Sequence, residues 1–256
     1  MLKLGNETII STKNIWGISI LLMLPPFLYY IAHFLGFGNP DAIPTGYIQY
    51  DMPYYMANAL EYKESKNLHL LFPLPFSSNY ENESIYFYPQ IFLMGLIVRY
   101  TPVEPVILFL LFGFVFGVLT IRICLLILKK YCEVPPKFFL ILISIFIYGG
   151  GVIFIAGFIK SFRFSKDFLL AINEGFYFDP SDGWWFLNLG RNFLFPTEAY
   201  YHFLFLGIVY LLLKKKILPA TFGTALLALS HPFTGIAMLI IFLSWSLFEK
   251  IVLRVF

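Results

Sequence analysis

The feature that most constrains this chain is a run of 32 residues without a formal charge, residues 217–248. A straight helix of that length would extend about 48 Å at 1.5 Å per residue. This exceeds the ~30 Å hydrocarbon core of a bilayer. Because proline disrupts the helical turn before it, the sequence Ser230-His231-Pro232 predicts a break into two short, closely joined helices. A single long, tilted helix is the alternative.

The composition of the whole chain indicates a lipid environment. Of its 256 residues, 59% are hydrophobic and only 13% are charged, a balance that is foreign to ordinary soluble domains of this length. The net charge of +3 is small and the basic residues are dispersed, which argues against a nucleic-acid partner. We therefore expect an integral protein of the plasma or cytoplasmic membrane, with membrane lipid as its surroundings.

Four further segments are apolar enough to be candidate spans, for which about 20 residues are needed. They are residues 15–37, 105–128 and 138–159, and a shorter segment, 196–213. Together with the two helices of residues 217–248, they predict an all-α polytopic membrane protein with about six transmembrane helices. We treat residues 1–256 as a single transmembrane domain.

The distribution of basic residues predicts how the chain is oriented in the membrane. Residues 85–98 are also apolar, but counting them as a span would move Lys129, Lys130 and Lys137 to the outside, against the positive-inside rule. We interpret them as an interfacial or re-entrant helix on the outer face. The inner side then holds 11 of the 18 basic residues but only three of the 15 acidic ones, and both termini are cytoplasmic. Two long outer loops result, residues 38–104 and 160–195, which are expected to carry interfacial helices and function.

Asp51 is the most informative carboxylate of the first outer loop. The sequence Asp51-Met52-Pro53 is typical of a helix start, with an N-cap acceptor followed by proline in the first turn. Asp51 either only caps this helix or acts as a general base that deprotonates an acceptor hydroxyl or amine. The helix N-terminus would favour its ionised form. Tyr54 and Tyr55 in the same short amphipathic helix are candidate substrate-binding residues.

The second outer loop offers weaker candidates. Arg191 would bind a donor phosphate through its planar fork of N–H groups. Asp179 and Asp182 are a weak indication of a divalent-cation site, the only cofactor that the sequence suggests. The alternative is that this tryptophan-containing segment is an aromatic anchor at the membrane interface.

Three more polar side chains lie at predicted helix ends. Glu198 and His202 are four residues apart and share a helix face, where they either reach for lipid headgroups or bind a sugar or phosphate. His231 is the only ionisable side chain of residues 217–248. It is either hydrogen-bonded at the Pro232 break or functional, as intramembrane ionisable residues usually are.

The residues around Asp51 resemble the first outer loop of the GT-C superfamily of polytopic glycosyltransferases. The resemblance is carried by Gly46-Tyr-Ile-Gln-Tyr-Asp51-Met-Pro-Tyr-Tyr-Met-Ala-Asn-Ala-Leu-Glu61 after one span, and by Tyr86-Phe87-Tyr88-Pro89-Gln90, which is similar to a Tyr-Pro-Pro segment of many members. Because members place a catalytic carboxylate in this loop and use polyprenyl-phosphate sugars, the resemblance implies that role for Asp51, with inversion at the anomeric carbon. The chain departs from the pattern at Gln90 and has about half the usual length.

The leading hypothesis is therefore a GT-C-like glycosyltransferase, or its N-terminal half or a compact relative, that acts at the outer membrane face. It would transfer a hexosyl or pentosyl group from a polyprenyl-phosphate donor, with further membrane subunits or a missing C-terminal half as possible partners. The alternatives are a non-catalytic membrane subunit of a glycosylation complex, and a lipid or sugar transporter or flippase. Transporters bind at the midplane on broken helices, whereas nearly all acids of this chain lie at the predicted outer rim.

Overall fold

The computed structural model of the protein describes residues 12–34, 51–64, 70–72, 84, 87–132, 135–148, 151–168, 170–171, 193 and 195–255. Within these residues the regular structure consists of α-helices without β-strands, which confirms the all-α prediction. The helices are α1 Thr12–Phe34, α2 Asp51–Glu64, α3 Pro89–Tyr100, α4 Pro105–Tyr131, α5 Pro136–Tyr148, α6 Gly151–Ser165, α7 Pro196–Leu213, α8 Ile217–Ser230 and α9 Pro232–Val255.

Two of these helices, α4 and α7, are the ones in the described part of the chain that are long and apolar enough to cross a membrane. They coincide with the predicted spans at residues 105–128 and 196–213. Shorter apolar helices cover Asn14–Leu24, Ile217–Ser230 and Pro232–Phe248. Length and composition therefore support membrane association, while the number of six spans and the side of the termini stay predictions.

The break predicted at His231 is confirmed, because α8 ends at Ser230 and α9 begins at Pro232. The alternative of one continuous helix is wrong. The segment predicted as one span over residues 138–159 is described instead as two helices, α5 and α6, on either side of residues 149–150, which lie outside the described residues. The sequence around that point, Gly149-Gly150-Gly151, has a low helix propensity.

The described residues form two compact units. One contains α1, the part of α4 from Gly113, α5, α6 and the first turn of α7; the other contains α2, α3, the first turns of α4, the remainder of α7, α8 and α9. The helices α4 and α7 thus contribute residues to both units.

In the first unit, α1 and α4 are antiparallel. The guanidinium carbon of Arg122 lies 4.4 Å from the centroid of the Trp16 ring. At the other end of the pair, Phe27 and Phe114 have ring centroids 4.6 Å apart. Early residues of α1 thus meet late residues of α4, which is the arrangement expected of two successive spans joined by an outer loop.

In the second unit, α7, α8 and α9 share one apolar core. Its buried members are Ile208, Leu212, Ala220, Leu227 and Met238. The two helices that flank the break approach most closely at Gly235 of α9, where an added Cβ would lie 2.4 Å from the Cα of Ala228. This close contact fixes how α9 returns along α8.

We expect Gly235→Ala to destabilise the second unit by about 1–3 kcal/mol, because the new methyl group would overlap backbone atoms that cannot rotate away. The measurement is thermal unfolding of the purified protein in detergent. Gly223→Ala is the matched control, since its Cβ would meet the Ile208 side chain at 3.0 Å and that side chain can adjust. An equal loss of stability in Gly235→Ala and Gly223→Ala would contradict this account of the α8–α9 contact.

Candidate functional site

The most informative site region is the pair of helices α2 and α3, which pack along each other in the second unit. Near the start of both helices, the ring centroids of Tyr55 and Tyr88 are 5.7 Å apart. Near the end of α2, Tyr62 contacts Phe92 of α3 at a centroid distance of 5.9 Å. The order of these contacts makes the helices parallel, so that both N-termini lie at one end of the pair.

Tyr62 and Gly95 hold the two helices in register. The Tyr62 side chain is fully buried, and a Cβ added at Gly95 would lie 2.6 Å from its Cδ2. Arg99 Nη1 donates to the Tyr62 carbonyl at 3.5 Å, which satisfies a carbonyl of the last turn of α2. Burial, and to a smaller extent the Glu61 carboxylate, raises the pKa of Tyr62 to about 12, so its phenol is neutral at physiological pH.

An aromatic cluster, which we define as Tyr54, Tyr55, Tyr88 and Phe72, lies at the N-terminal end of the pair. Tyr54 and Tyr55 are 5.5 Å apart and Phe72 and Tyr88 are 6.1 Å apart, measured between ring centroids. Phe72 is buried, whereas the three tyrosines are half-buried. The structure thus brings Tyr55 beside Tyr88, with Tyr54 next to Tyr55; both tyrosines of α2 were predicted to bind substrate.

Asp51 is the first residue of α2, as the sequence predicted, with Pro53 in the first turn. Its backbone lies one helical turn before Tyr55 and therefore at the end of the pair that carries the aromatic cluster. A helix N-terminus favours a negative charge. The side chain of Asp51 lies outside what the structure describes, so its role as a cap or as a base stays a prediction.

Two buried amide side chains on this helix pair were missed by the sequence reasoning. Asn58 of α2 is 7% exposed and Gln90 of α3 is 1% exposed. Asn58 Nδ2 and Gln90 Oε1 have no hydrogen-bond partner among the described residues. Since buried polar atoms are nearly always paired, both amides are candidates for binding a ligand. The sequence signal at Gln90 was its departure from the Tyr-Pro-Pro pattern to which residues 86–90 were compared.

A second cluster surrounds His231 between α8 and α9. Its ring stacks on Tyr201 of α7, with centroids 4.4 Å apart and an interplanar angle of 28°. His231 Nδ1 accepts the backbone N–H of Thr234 at 3.2 Å and lies 2.6 Å from Thr234 Oγ1. Because Nδ1 is an acceptor, we infer that the neutral ring carries its proton on Nε2.

This geometry makes His231 a cap for α9. Pro232 is the first helical residue, and the Nδ1 atom takes up one N–H of the first turn that has no partner inside the helix. Tyr200 is hydrogen-bonded to Ser230, so the start of α7 is attached to the end of α8. A hydrogen-bonded histidine at the break, one of the two interpretations of His231, is therefore what the structure displays; its Nε2 atom has no partner in the described part of the chain.

Of the remaining predicted site residues, some lie within the described part of the chain and others lie outside it. Glu198 lies in the first turn of α7, and the ring of His202, four residues later, is 5.1 Å from that of Tyr201. The ring contact of this tyrosine with His231 is a tertiary one, whereas His202 is its neighbour in the chain. Arg191, Asp179 and Asp182 lie outside the described residues, and their roles stay predictions. The described residues contain no group of three or more His, Cys, Asp or Glu that could hold a metal ion.

Comparison with known proteins gives no family assignment, since no family model matches the chain and no curated protein or solved structure is significantly similar to it. The GT-C resemblance therefore rests on the residues around Asp51 and Tyr88.

We expect Gly95→Ala to destabilise the α2–α3 pair by about 1–3 kcal/mol, because the fully buried Tyr62 ring has no space to move away from an added methyl group. Thermal unfolding in detergent measures the effect. Gly17→Ala is the control, since its Cβ would meet nothing within 4 Å and alanine improves helix propensity by about 0.5–1 kcal/mol. Similar unfolding temperatures for Gly95→Ala and the parent protein would contradict the proposed register.

We expect His231→Ala to cost about 0.5–2 kcal/mol for the lost cap, together with the lost ring contact to Tyr201. His231→Asn should recover part of this loss, because an asparagine oxygen also accepts an N–H of the first turn. Both variants are compared with the parent protein by thermal unfolding in detergent. Equal losses for alanine and asparagine would show that capping is not what His231 contributes.

Proposed function

We propose that this protein is a membrane glycosyltransferase of the GT-C type, or the N-terminal part of one. It transfers a hexosyl or pentosyl group from a polyprenyl-phosphate donor to an acceptor at the outer membrane face. The observation that carries the proposal is the parallel arrangement of α2 and α3, because it brings the helix end at Asp51 beside the half-buried Tyr55 and Tyr88. A potential base and an aromatic surface for a sugar thus lie at one end of the helix pair.

The reaction is a single displacement at the anomeric carbon. Asp51 accepts the proton of the acceptor hydroxyl, whose oxygen forms the new bond to that carbon. The bond between the anomeric carbon and the phosphate oxygen breaks, and the polyprenyl phosphate leaves with the electron pair. A carboxylate of ordinary basicity suffices, because phosphate is a good leaving group and the transition state is cationic. His231 contributes its Nε2–H as a donor to phosphate.

The proposed topology has six spans with both termini in the cytoplasm. It is supported by the antiparallel packing of α1 and α4 and by the basic residues that end the two candidate spans. These are Lys129 and Lys130 in the last turn of α4 and Lys214, Lys215 and Lys216 directly after α7. Both helices then run from the outside to the inside.

A lipid or sugar transporter is the second candidate, because the predicted span over residues 138–159 consists of two short helices, α5 and α6, and transporters bind their cargo on interrupted helices. A transporter would move a labelled polyprenyl-phosphate sugar across a vesicle membrane without forming a new glycosidic bond. A transferase would form that bond from donor supplied on the outer side.

We expect Asp51→Asn to lower sugar transfer by about 10²–10⁴-fold, the usual contribution of a general base. The assay follows a labelled hexose from polyprenyl phosphate to acceptor in membranes that contain the protein. Glu61→Gln is the matched control, because it also removes a carboxylate from α2 but at an exposed position near the opposite end of the helix. Unchanged turnover in Asp51→Asn would exclude Asp51 from the mechanism, and movement of the donor without transfer would favour the transporter.

A further inference from the structure

We propose that Asn58 and Gln90 bind the hydroxyl groups of a sugar at the α2–α3 pair. The identity of the ligand as a sugar rests on the proposed transferase function. The binding role of the two amides rests on their own burial and on their missing partners.

Both side chains are more than nine-tenths buried, and each has an amide atom without a partner among the described residues. Such an atom loses its bonds to water on folding and gains nothing in return. Asn58 Nδ2 is a donor and Gln90 Oε1 is an acceptor. A sugar hydroxyl both donates and accepts, so hydroxyl groups complement these two atoms. Since each amide carries a donor and an acceptor, the same chemistry holds for either orientation of the amide plane.

The surroundings favour a neutral, polar ligand with an apolar face. Tyr54 and Tyr55 precede Asn58 on α2 by one helical turn, and Tyr88 precedes Gln90 by two residues. Small-molecule sites typically combine aromatic rings with a few placed polar groups, and an aromatic face can stack on the C–H face of a pyranose. The nearest arginine of α3, Arg99, lies at the opposite end of the helix, where it bonds the Tyr62 carbonyl. Phosphate, which prefers arginine or lysine, is therefore not the group that these amides fit.

The unpaired amide atoms predict whether replacing Asn58 or Gln90 by an apolar residue raises or lowers the stability of the protein without ligand. If the amides serve a ligand, replacing either one by an apolar side chain of similar shape removes a buried unpaired atom and stabilises the protein without ligand. If they instead hold the fold together, the same replacement destabilises it. Stability and binding therefore move in opposite directions only when the amides have a ligand-binding role.

The variants are Asn58→Leu and Gln90→Met, with Met56→Leu and Met94→Leu as controls that change buried, apolar positions of the same two helices. The unfolding temperature in detergent, measured without donor, should rise by about 2–4 °C in each amide variant. Binding of a polyprenyl-phosphate hexose, measured by native mass spectrometry, should weaken by about five- to tenfold. Binding of sugar-free polyprenyl phosphate should not change, and the controls should bind both probes like the parent protein.

A methyl hexoside without lipid is the third probe and distinguishes the two sources of the sugar. Weaker binding of the lipid-linked hexose assigns the amides to the donor, and weaker binding of the methyl hexoside alone assigns them to a sugar acceptor. Either result supports the proposal. A lower unfolding temperature, a failure to fold, or an equal loss for the sugar-free lipid would overturn it.

Sugar binding by the amide variants and sugar transfer by Asp51→Asn together distinguish a failure of this inference from a failure of the proposed transferase function. Transfer that depends on Asp51 together with unchanged sugar binding in both amide variants would overturn only the role of Asn58 and Gln90. Weaker sugar binding in the amide variants together with full transfer by Asp51→Asn would overturn only the catalytic role of Asp51. A parent protein that binds none of the three probes would overturn both proposals.

Discussion

The contact between the Tyr62 ring and Gly95 determines the geometry of the candidate site. Because Tyr62 is fully buried and the glycine leaves no space for a Cβ, α2 and α3 have one favourable register. In that register the two parallel helices place Tyr55 beside Tyr88. The helix start at Asp51 and the aromatic cluster then share one end of the pair, and the proposed chemistry depends on that proximity.

The buried polar side chains among the described residues differ in whether their hydrogen-bonding atoms are paired. Four buried hydroxyls bond to a carbonyl one turn earlier in their own helix, so they need nothing from outside; they belong to Ser19, Thr120, Thr224 and Ser230. Amide side chains need more partners than a hydroxyl does, and Asn58 and Gln90 each retain an unpaired buried atom. The contrast explains why these two residues, rather than the buried hydroxyls, indicate ligand binding.

His231 has a structural role in this protein, and the proposed function assigns a second role to the same ring. Its Nδ1 atom caps α9 and its ring stacks on Tyr201, which together fix the ring orientation. The Nε2 atom lies opposite the cap, and it is the atom that the proposed function directs to phosphate. The sequence identified the residue because a lone ionisable group stood beside a proline in an uncharged run, but it could not tell which ring nitrogen is occupied.

The sequence by itself determined the local structure of this chain. The candidate spans α4 and α7, the break at Pro232 and the helix start at Asp51 follow from apolar length and from the conformational limits of proline, which act within a few residues. Only the tertiary structure decided that α2 and α3 are parallel and that Tyr201 lies against His231. It also decided that Asn58 and Gln90 are buried, each with one amide atom unpaired among the described residues. These features depend on contacts between residues far apart in the chain. Packing at Gly95 and Gly235 selects one arrangement of the helices, and the sequence pattern does not show which distant residues will be in contact.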